Sequence, residues 1–215
     1  MEGSLVSLLR KEDLQAAMDP ATPMSERLVV TPMLDPDVQI GPATIDLRLS
    51  SDFLLTRRAE GSGIDPANDD RRAVERTQER FTVPLGEAFW LHPRQFALGA
   101  TLEFIRMPPH LGAYVVGRSS WGRIGLIVAT AIMVQPGYHG ALTLELVNEG
   151  ETPIALYPGL RVAQLAVHRL TDKTGSPYEA KAKYVSPIGP EATKLAWDAQ
   201  EVNKMKQLRR ALSQL

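Results

Sequence analysis

The chain predicts a mainly β fold, a sandwich, jelly roll or barrel, with a short N-terminal helix and a C-terminal helix. Between Phe81 and Leu170, strand-length apolar segments recur at spacings of roughly 8–16 residues, divided by turns such as Met107-Pro108-Pro109, Gln135-Pro136-Gly137 and Tyr157-Pro158-Gly159. Helical periodicity is confined to the two ends. At 215 residues and 44% hydrophobic content, the chain suffices for one generous domain with a real core.

Leu5, Leu8, Leu9 and Leu14 follow helical spacing, with Lys11, Glu12 and Asp13 on the polar side, so Leu5–Met18 reads as a helix ended by Asp19-Pro20. From Pro20 to Pro42, repeated prolines break regular structure into short extended pieces and loops. Ala43–Ser50 alternates: Ile45, Leu47 and Leu49 face one way, Thr44, Asp46, Arg48 and Ser50 the other, a half-buried strand. Residues 57–80 hold twelve charged side chains and almost no large apolar ones, which predicts a solvated insertion. Its Arg71, Arg72, Arg76 and Arg80 either attract phosphate or serve solubility alone.

Seven strands follow: Ala88–Leu91, Ala97–Ile105, Ala113–Gly117, Leu126–Ala131, Ala141–Asn148, Thr152–Leu156 and Arg161–His168. Glu191–Leu215 reads as a helix, with Leu195, Val202, Met205, Leu208 and Leu212 near helical period after Gly189-Pro190. The expected organisation is a β domain over 1–190 and a helical extension over 191–215.

Composition narrows the function. Lysine plus arginine number 24 against 25 acidic residues, a net charge of −1, which lacks the basic excess of a general nucleic-acid binder. No apolar run approaches the ~20 residues of a membrane helix. Met1-Glu-Gly-Ser-Leu lacks a secretory pattern, and the absence of cysteine suits a reducing cytoplasm. It also removes disulfides, thiolate metal sites and cysteine nucleophiles.

Three segments can carry chemistry. Gly117-Arg-Ser-Ser-Trp-Gly-Arg-Ile-Gly125 concentrates two guanidinium groups, two hydroxyls and three glycines. It is either an anion cradle or an ordinary glycine–serine turn with surface arginines, and it matches neither phosphate-loop nor dinucleotide-binding spacing. In Leu142-Thr-Leu-Glu-Leu-Val147, strand alternation puts Glu145 with Thr143 and Val147, opposite Leu142, Leu144 and Leu146. Glu145 is then either a desolvated carboxylate suited to proton transfer or a glutamate on a solvent face. In Gln135-Pro-Gly-Tyr-His-Gly140, Tyr138 either meets a ligand or packs on the core, and His139 is either a base or a surface residue. Glu87, Trp90 and Trp121 read most simply as core or interface residues.

Taken in order, Gly-Arg-Ser-Ser-x-x-Arg-x-Gly-Leu, Thr-Ala-x-x-x-x-Pro-Gly-Tyr-x-Gly, Thr-Leu-Glu-Leu-x-Asn and Pro-Ile-x-Leu-x-Pro-Gly-x-Arg-x-x-Gln-Leu resemble the dCTP deaminase branch of the dUTPase-like superfamily. Gly41–Leu49, Glu87–Arg94 and Tyr178…Lys183-Tyr184 resemble further pieces of these enzymes, so the likeness spans about residues 38–187. The resemblance implies a distorted jelly roll or dUTPase-like β-barrel assembled as a homotrimer, with active sites between subunits. It implies hydrolytic deamination of dCTP to dUTP and ammonia, Mg²⁺ entering on the triphosphate, and dTTP as a candidate inhibitor. Arg118, Ser119 and Ser120 would hold phosphate oxygens and Arg123 would lie near the reacting base. Glu145 would be the general acid/base. Ala131 would sit beside the cytosine, Thr143 would meet the base edge, and Tyr178 and Lys183 would close over the triphosphate.

Zinc is not expected, because no cysteine is present and His92, His110, His139 and His168 all lack H-x-E spacing. The sequence departs from the family pattern twice. Gln135 stands where the family commonly has Asp; it can bond a sugar 3′-hydroxyl but cannot act as a base, which disfavours a dUTP pyrophosphatase or bifunctional enzyme. Pro187 stands where the tail often has Gln. Both changes leave room for a non-catalytic deoxynucleotide-binding protein.

Overall fold

The computed structural model describes residues 7–57, 63–65, 67, 74, 77–129, 133–178, 184, 186–194 and 196–213. Among the described residues the strands are β1 (Val29–Thr31), β2 (Ile45–Arg48), β3 (Asp52–Thr56), β4 (Gln78–Thr82), β5 (Phe89–Leu91), β6 (Phe96–Arg106), β7 (Leu111–Gly117), β8 (Leu126–Val128), β9 (Met133–Val134), β10 (His139–Asn148), β11 (Ile154–Leu156) and β12 (Arg161–Arg169). The helices are α1 (Lys11–Ala17), α2 (Pro36–Gln39), α3 (Ser119–Gly122) and α4 (Ala196–Leu212).

The strands form three antiparallel sheets. One runs β4-β3-β6-β10-β8 with β1 also on β6, another runs β2-β12-β7-β9, and β11 pairs β5. The mainly β expectation holds, because Pro/Gly punctuation leaves segments too short for helices but long enough to pair.

Apolar residues at alternate strand positions meet between the sheets. Ile45, Leu47 and Leu49 from the β2 region, Leu144 and Leu146 of β10, and Leu165 and Val167 of β12 are fully buried. Phe53, Phe81 and Phe89 fill one end with ring centroids 5.0–5.6 Å apart. At ~25 cal/mol per Å², such burial is the main favourable term of folding.

The structure corrects several expectations. The first helix starts at Lys11, not Leu5: Leu8 bridges to His168, and the Leu9 N–H donates to the Val167 carbonyl at 2.8 Å. Leu8 and Leu9 therefore extend a sheet edge, and tertiary pairing overrides local period. In the proline-rich stretch β1 is one of the expected short extended pieces, but α2 is a helical turn, capped by the Asp35 side chain with Pro36 in its first turn. The charged stretch 57–80 ends in β4, which pairs with β3 from Asp52↔Thr82 to Thr56↔Gln78. The predicted strands start or stop one to three residues away from the observed ones, as fraying ends do.

Asp46 is also corrected. It does not face water but is buried, because Arg161, Gln164 and Arg118 cover it. The final helix spans Ala196–Leu212; Ala199 packs inward while Met205, Leu208 and Leu212 are exposed. Among the described residues no helix is long and apolar enough to cross a membrane.

Candidate functional site

The alternation read from Leu142–Val147 is present. Leu142, Leu144 and Leu146 are buried while Thr143, Glu145 and Val147 form a half-buried face. Glu145 lies opposite Leu98 of β6, and its carbonyl accepts from the Ala129 N–H at 2.9 Å. Burial raises its carboxyl pKa above the ordinary value, since the ionised form gives up hydration and no described cation pairs with it.

The arginine–serine turn joins β7 to β8. Arg118 precedes α3, whose Ser119 and Ser120 are exposed, and Arg123 closes it with its N–H on the Ser119 carbonyl. Gly125 (φ +94°) lets the chain leave this turn. A Cβ there would stand 2.4 Å from the Gly150 nitrogen, so only glycine permits the contact. Gly150 is held in turn by Asn148, a fully buried side chain whose amide donates to the Leu91 and Thr152 carbonyls and accepts from the Gly150 N–H. These contacts fix the arginine–serine turn against the end of β10, three residues from Glu145.

Arg118 belongs to a network the sequence reading missed. Asp46 Oδ2 takes Arg161 Nη1 at 2.9 Å and pairs with Arg118 Nε at 3.5 Å, while Asp46 Oδ1 takes Gln164 Nε2 at 2.9 Å. Behind it, fully buried Gln39 bonds Glu103, the Asp46 carbonyl and Arg48 Nε. Burial raises the Glu103 pKa, opposed by the Arg48 N–H and Gln39. Polar residues at alternate positions of Ile45–Arg48 were the available signal; that their face would be covered was not.

The remaining residues gather around the Gln135–Gly140 turn. Gln135 is exposed, and the Pro136 carbonyl accepts the Tyr178 N–H at 2.7 Å. Tyr138 packs on the core near Tyr178 (5.8 Å between centroids) and donates to the Ala141 carbonyl; burial raises its pKa. His139 is half-buried, with Nδ1 3.4 Å from the Gly137 carbonyl. Gly140 (φ +146°) admits the Pro187 ring, where a Cβ would lie 2.4 Å from Pro187 Cδ. The Pro187 carbonyl accepts the Ala141 N–H at 2.7 Å, and Thr143 Oγ1 accepts the Glu191 N–H at 3.2 Å. The tail thus runs along β10 beside Thr143.

Ala131 and Lys183 lie outside the described residues. Trp90 is exposed, whereas Trp121 packs on the core. Among the described residues no hydrogen bond or ion pair joins Arg118, Ser119, Ser120 or Arg123 to Glu145. No group of three His, Asp or Glu side chains there converges as a metal ion requires.

Comparison with known proteins adds four findings. The family described as dCTP deaminase-like matches residues 9–170. A protein of Natronomonas pharaonis named dCTP deaminase is 43% identical over 80% of this chain and 88% of its own. One of Dictyoglomus turgidum named dCTP deaminase, dUMP-forming, is 43% identical over 80% of this chain and 89% of its own. The solved 2′-deoxycytidine 5′-triphosphate deaminase of Agrobacterium tumefaciens shares the fold at a TM-score of 0.57 and 22% identity. It aligns with 76% of this chain and 47% of its own, so this chain spans about half its length.

Proposed function

The chain belongs to the dCTP deaminase-like family, and from that premise we propose that it hydrolyses dCTP to dUTP and ammonia. The observation that carries this reading is Glu145, a half-buried carboxylate with a raised pKa on the inner length of β10. Water is a poor nucleophile at the C4 carbon of cytosine. An ionised Glu145 takes a proton from it as the C4–O bond forms and passes that proton to N3. It then takes the proton of the C4 hydroxyl and delivers it to the departing amine, as the C4–N bond breaks and the C4 carbonyl of the uracil forms. Arg123 offsets charge in the tetrahedral intermediate.

The nucleotide is held by Arg118, Ser119 and Ser120 on the phosphates, with Thr143 and Ala131 beside the base and Gln135 at the sugar 3′-hydroxyl. Tyr178 and Lys183 close from the tail. Mg²⁺ carried on the triphosphate would neutralise part of its charge, leaving the rest to Arg118, Ser119 and Ser120. In this reading a second copy completes the site in a homotrimer; among the described residues no hydrogen bond or ion pair joins the arginine–serine turn to Glu145 within one protomer. Exposed Tyr114, Val116, Ile127 and Met133 offer apolar surface for that association. The absence of cysteine suits work in the cytoplasm.

The name of the Dictyoglomus turgidum relative favours a second reading, in which dUTP is cleaved further to dUMP. Gln135, which has no ionisable group to activate water, weighs against it. The test is Glu145→Gln: ammonia release is lost while dCTP affinity stays within about tenfold, about 1.4 kcal/mol. Wild-type turnover by E145Q overturns the reading. Following pyrophosphate in the same reaction assigns the product.

A further inference from the structure

A cleft of about 520 Å³ opens beside α3, and its walls include Arg48, Arg118, Arg161, Ser120 and Trp121. The three arginines are held alike. Each spends Nη1 on a main-chain carbonyl: Arg48 on Gly159 at 2.7 Å, Arg118 on Arg161 at 3.1 Å, Arg161 on Val38 at 3.1 Å. Arg48 and Arg118 are further braced through Nε, by Gln39 Oε1 at 3.1 Å and Asp46 Oδ2 at 3.5 Å. No described residue takes a hydrogen bond from Nη2 of any of the three.

Charge is left over as well as donors. Among the described residues Asp46 is the carboxylate paired with these arginines, and it answers two of them. Glu103, behind Arg48, bonds the Arg48 main-chain N–H and Gln39, not the guanidinium. At least one positive charge therefore stays uncompensated on the cleft wall. Planar forks fixed from behind, with unspent N–H groups and net positive charge, suit an oxyanion such as a phosphate better than a neutral ligand.

We propose that this cleft is a phosphate subsite in which Arg48 and Arg161 join Arg118 and Ser120 to hold the terminal phosphate of the nucleotide. It would make the protein select triphosphates over monophosphates. The inference rests on the reading of Arg118, Ser119 and Ser120 as phosphate ligands, since Arg118 belongs to both.

The experiment titrates wild-type protein, Arg161→Gln, Arg161→Lys and Arg118→Gln with dCTP, dCDP and dCMP in Mg²⁺ by calorimetry, after thermal unfolding of each ligand-free protein. R161Q should lose tenfold or more in dCTP affinity and less than twofold in dCMP affinity. R161K, which keeps the charge but not the fork, should lose about threefold or more for dCTP. Should R161Q fail to fold, R161K carries the test. A folded R161Q or R161K with the wild-type dCTP-to-dCMP ratio overturns the proposal. If the wild type shows no preference for dCTP, or R118Q binds all three nucleotides as the wild type does, the underlying phosphate reading falls and this subsite with it.

Discussion

Asn148→Asp replaces one buried amide by a carboxyl of nearly the same shape, and the structure specifies what is lost. The Asn148 side chain is fully buried; its amide nitrogen donates to the Leu91 carbonyl at 2.8 Å and the Thr152 carbonyl at 2.9 Å. Its oxygen accepts the Gly150 N–H at 2.9 Å. An ionised carboxyl keeps the last bond but faces two carbonyls with no proton to give. Each orphaned carbonyl costs about 1–3 kcal/mol, so the variant loses about 2–6 kcal/mol at pH 7. For a chain of this size that lowers Tm by on the order of 10 °C.

The pH dependence carries a definite sign. Burial raises the pKa of the introduced carboxyl in the folded state above its unfolded value of about 3.9, so within that window the folded protein binds more protons. Stability of the variant therefore falls as pH rises, by up to about 1.4 kcal/mol per pH unit, and recovers on acidification, where the protonated carboxyl can donate to one carbonyl. Thermal unfolding of wild type and N148D between pH 5 and 8 measures this. Melting of N148D alongside wild type at pH 7, or a deficit that widens toward pH 5, refutes the assignment.

Two further outcomes follow from the same geometry. Because Glu145 must be ionised to take a proton from water and burial raises its pKa, the acid limb of kcat/KM should fall at a pH above the ordinary carboxylate range; a limb near pH 4 contradicts that role. Gly125→Ala forces a Cβ to within 2.4 Å of the Gly150 nitrogen at φ +94°. Left-handed strain of about 1–2 kcal/mol plus overpacking of about 1–3 kcal/mol should appear as a lowered Tm, together with weakened dCTP binding as the arginine–serine turn shifts; unchanged values in both contradict the packing described.

What the sequence made legible was periodic. Alternation over Leu142–Val147 identified the buried and half-buried faces of β10, because a strand has a period of two residues and apolar Leu144 and Leu146 leave one choice of core side. Asp46 carried the same signal and misled: alternation separates two faces but does not say what covers the second. That cover comes from Arg161 and Arg118, more than seventy positions along the chain, and long-range pairing has no local pattern. Leu8 and Leu9 failed likewise, since their helical spacing lost to pairing with β12. The contact of Gly140 with Pro187 joins two residues read separately, a turn glycine and a departure from a motif. Their fit becomes visible only when the tail lies on β10.

The six-stranded sheet ends in ways that constrain how copies of the chain can meet. One margin, β4, opens with Gln78, Glu79 and Arg80, where Arg57 pairs with Glu79 and Arg80 is tied to the Pro190 carbonyl. The other, β8, pairs with β10 over Leu126–Val128, and the Ala129 N–H adds one bond to the Glu145 carbonyl. Among the described residues, a foreign strand seeking to add itself would find charged side chains at one border and a short run of backbone partners at the other. In the proposed trimer, contact between protomers would thereby be steered away from continuing this sheet and toward meetings of side chains.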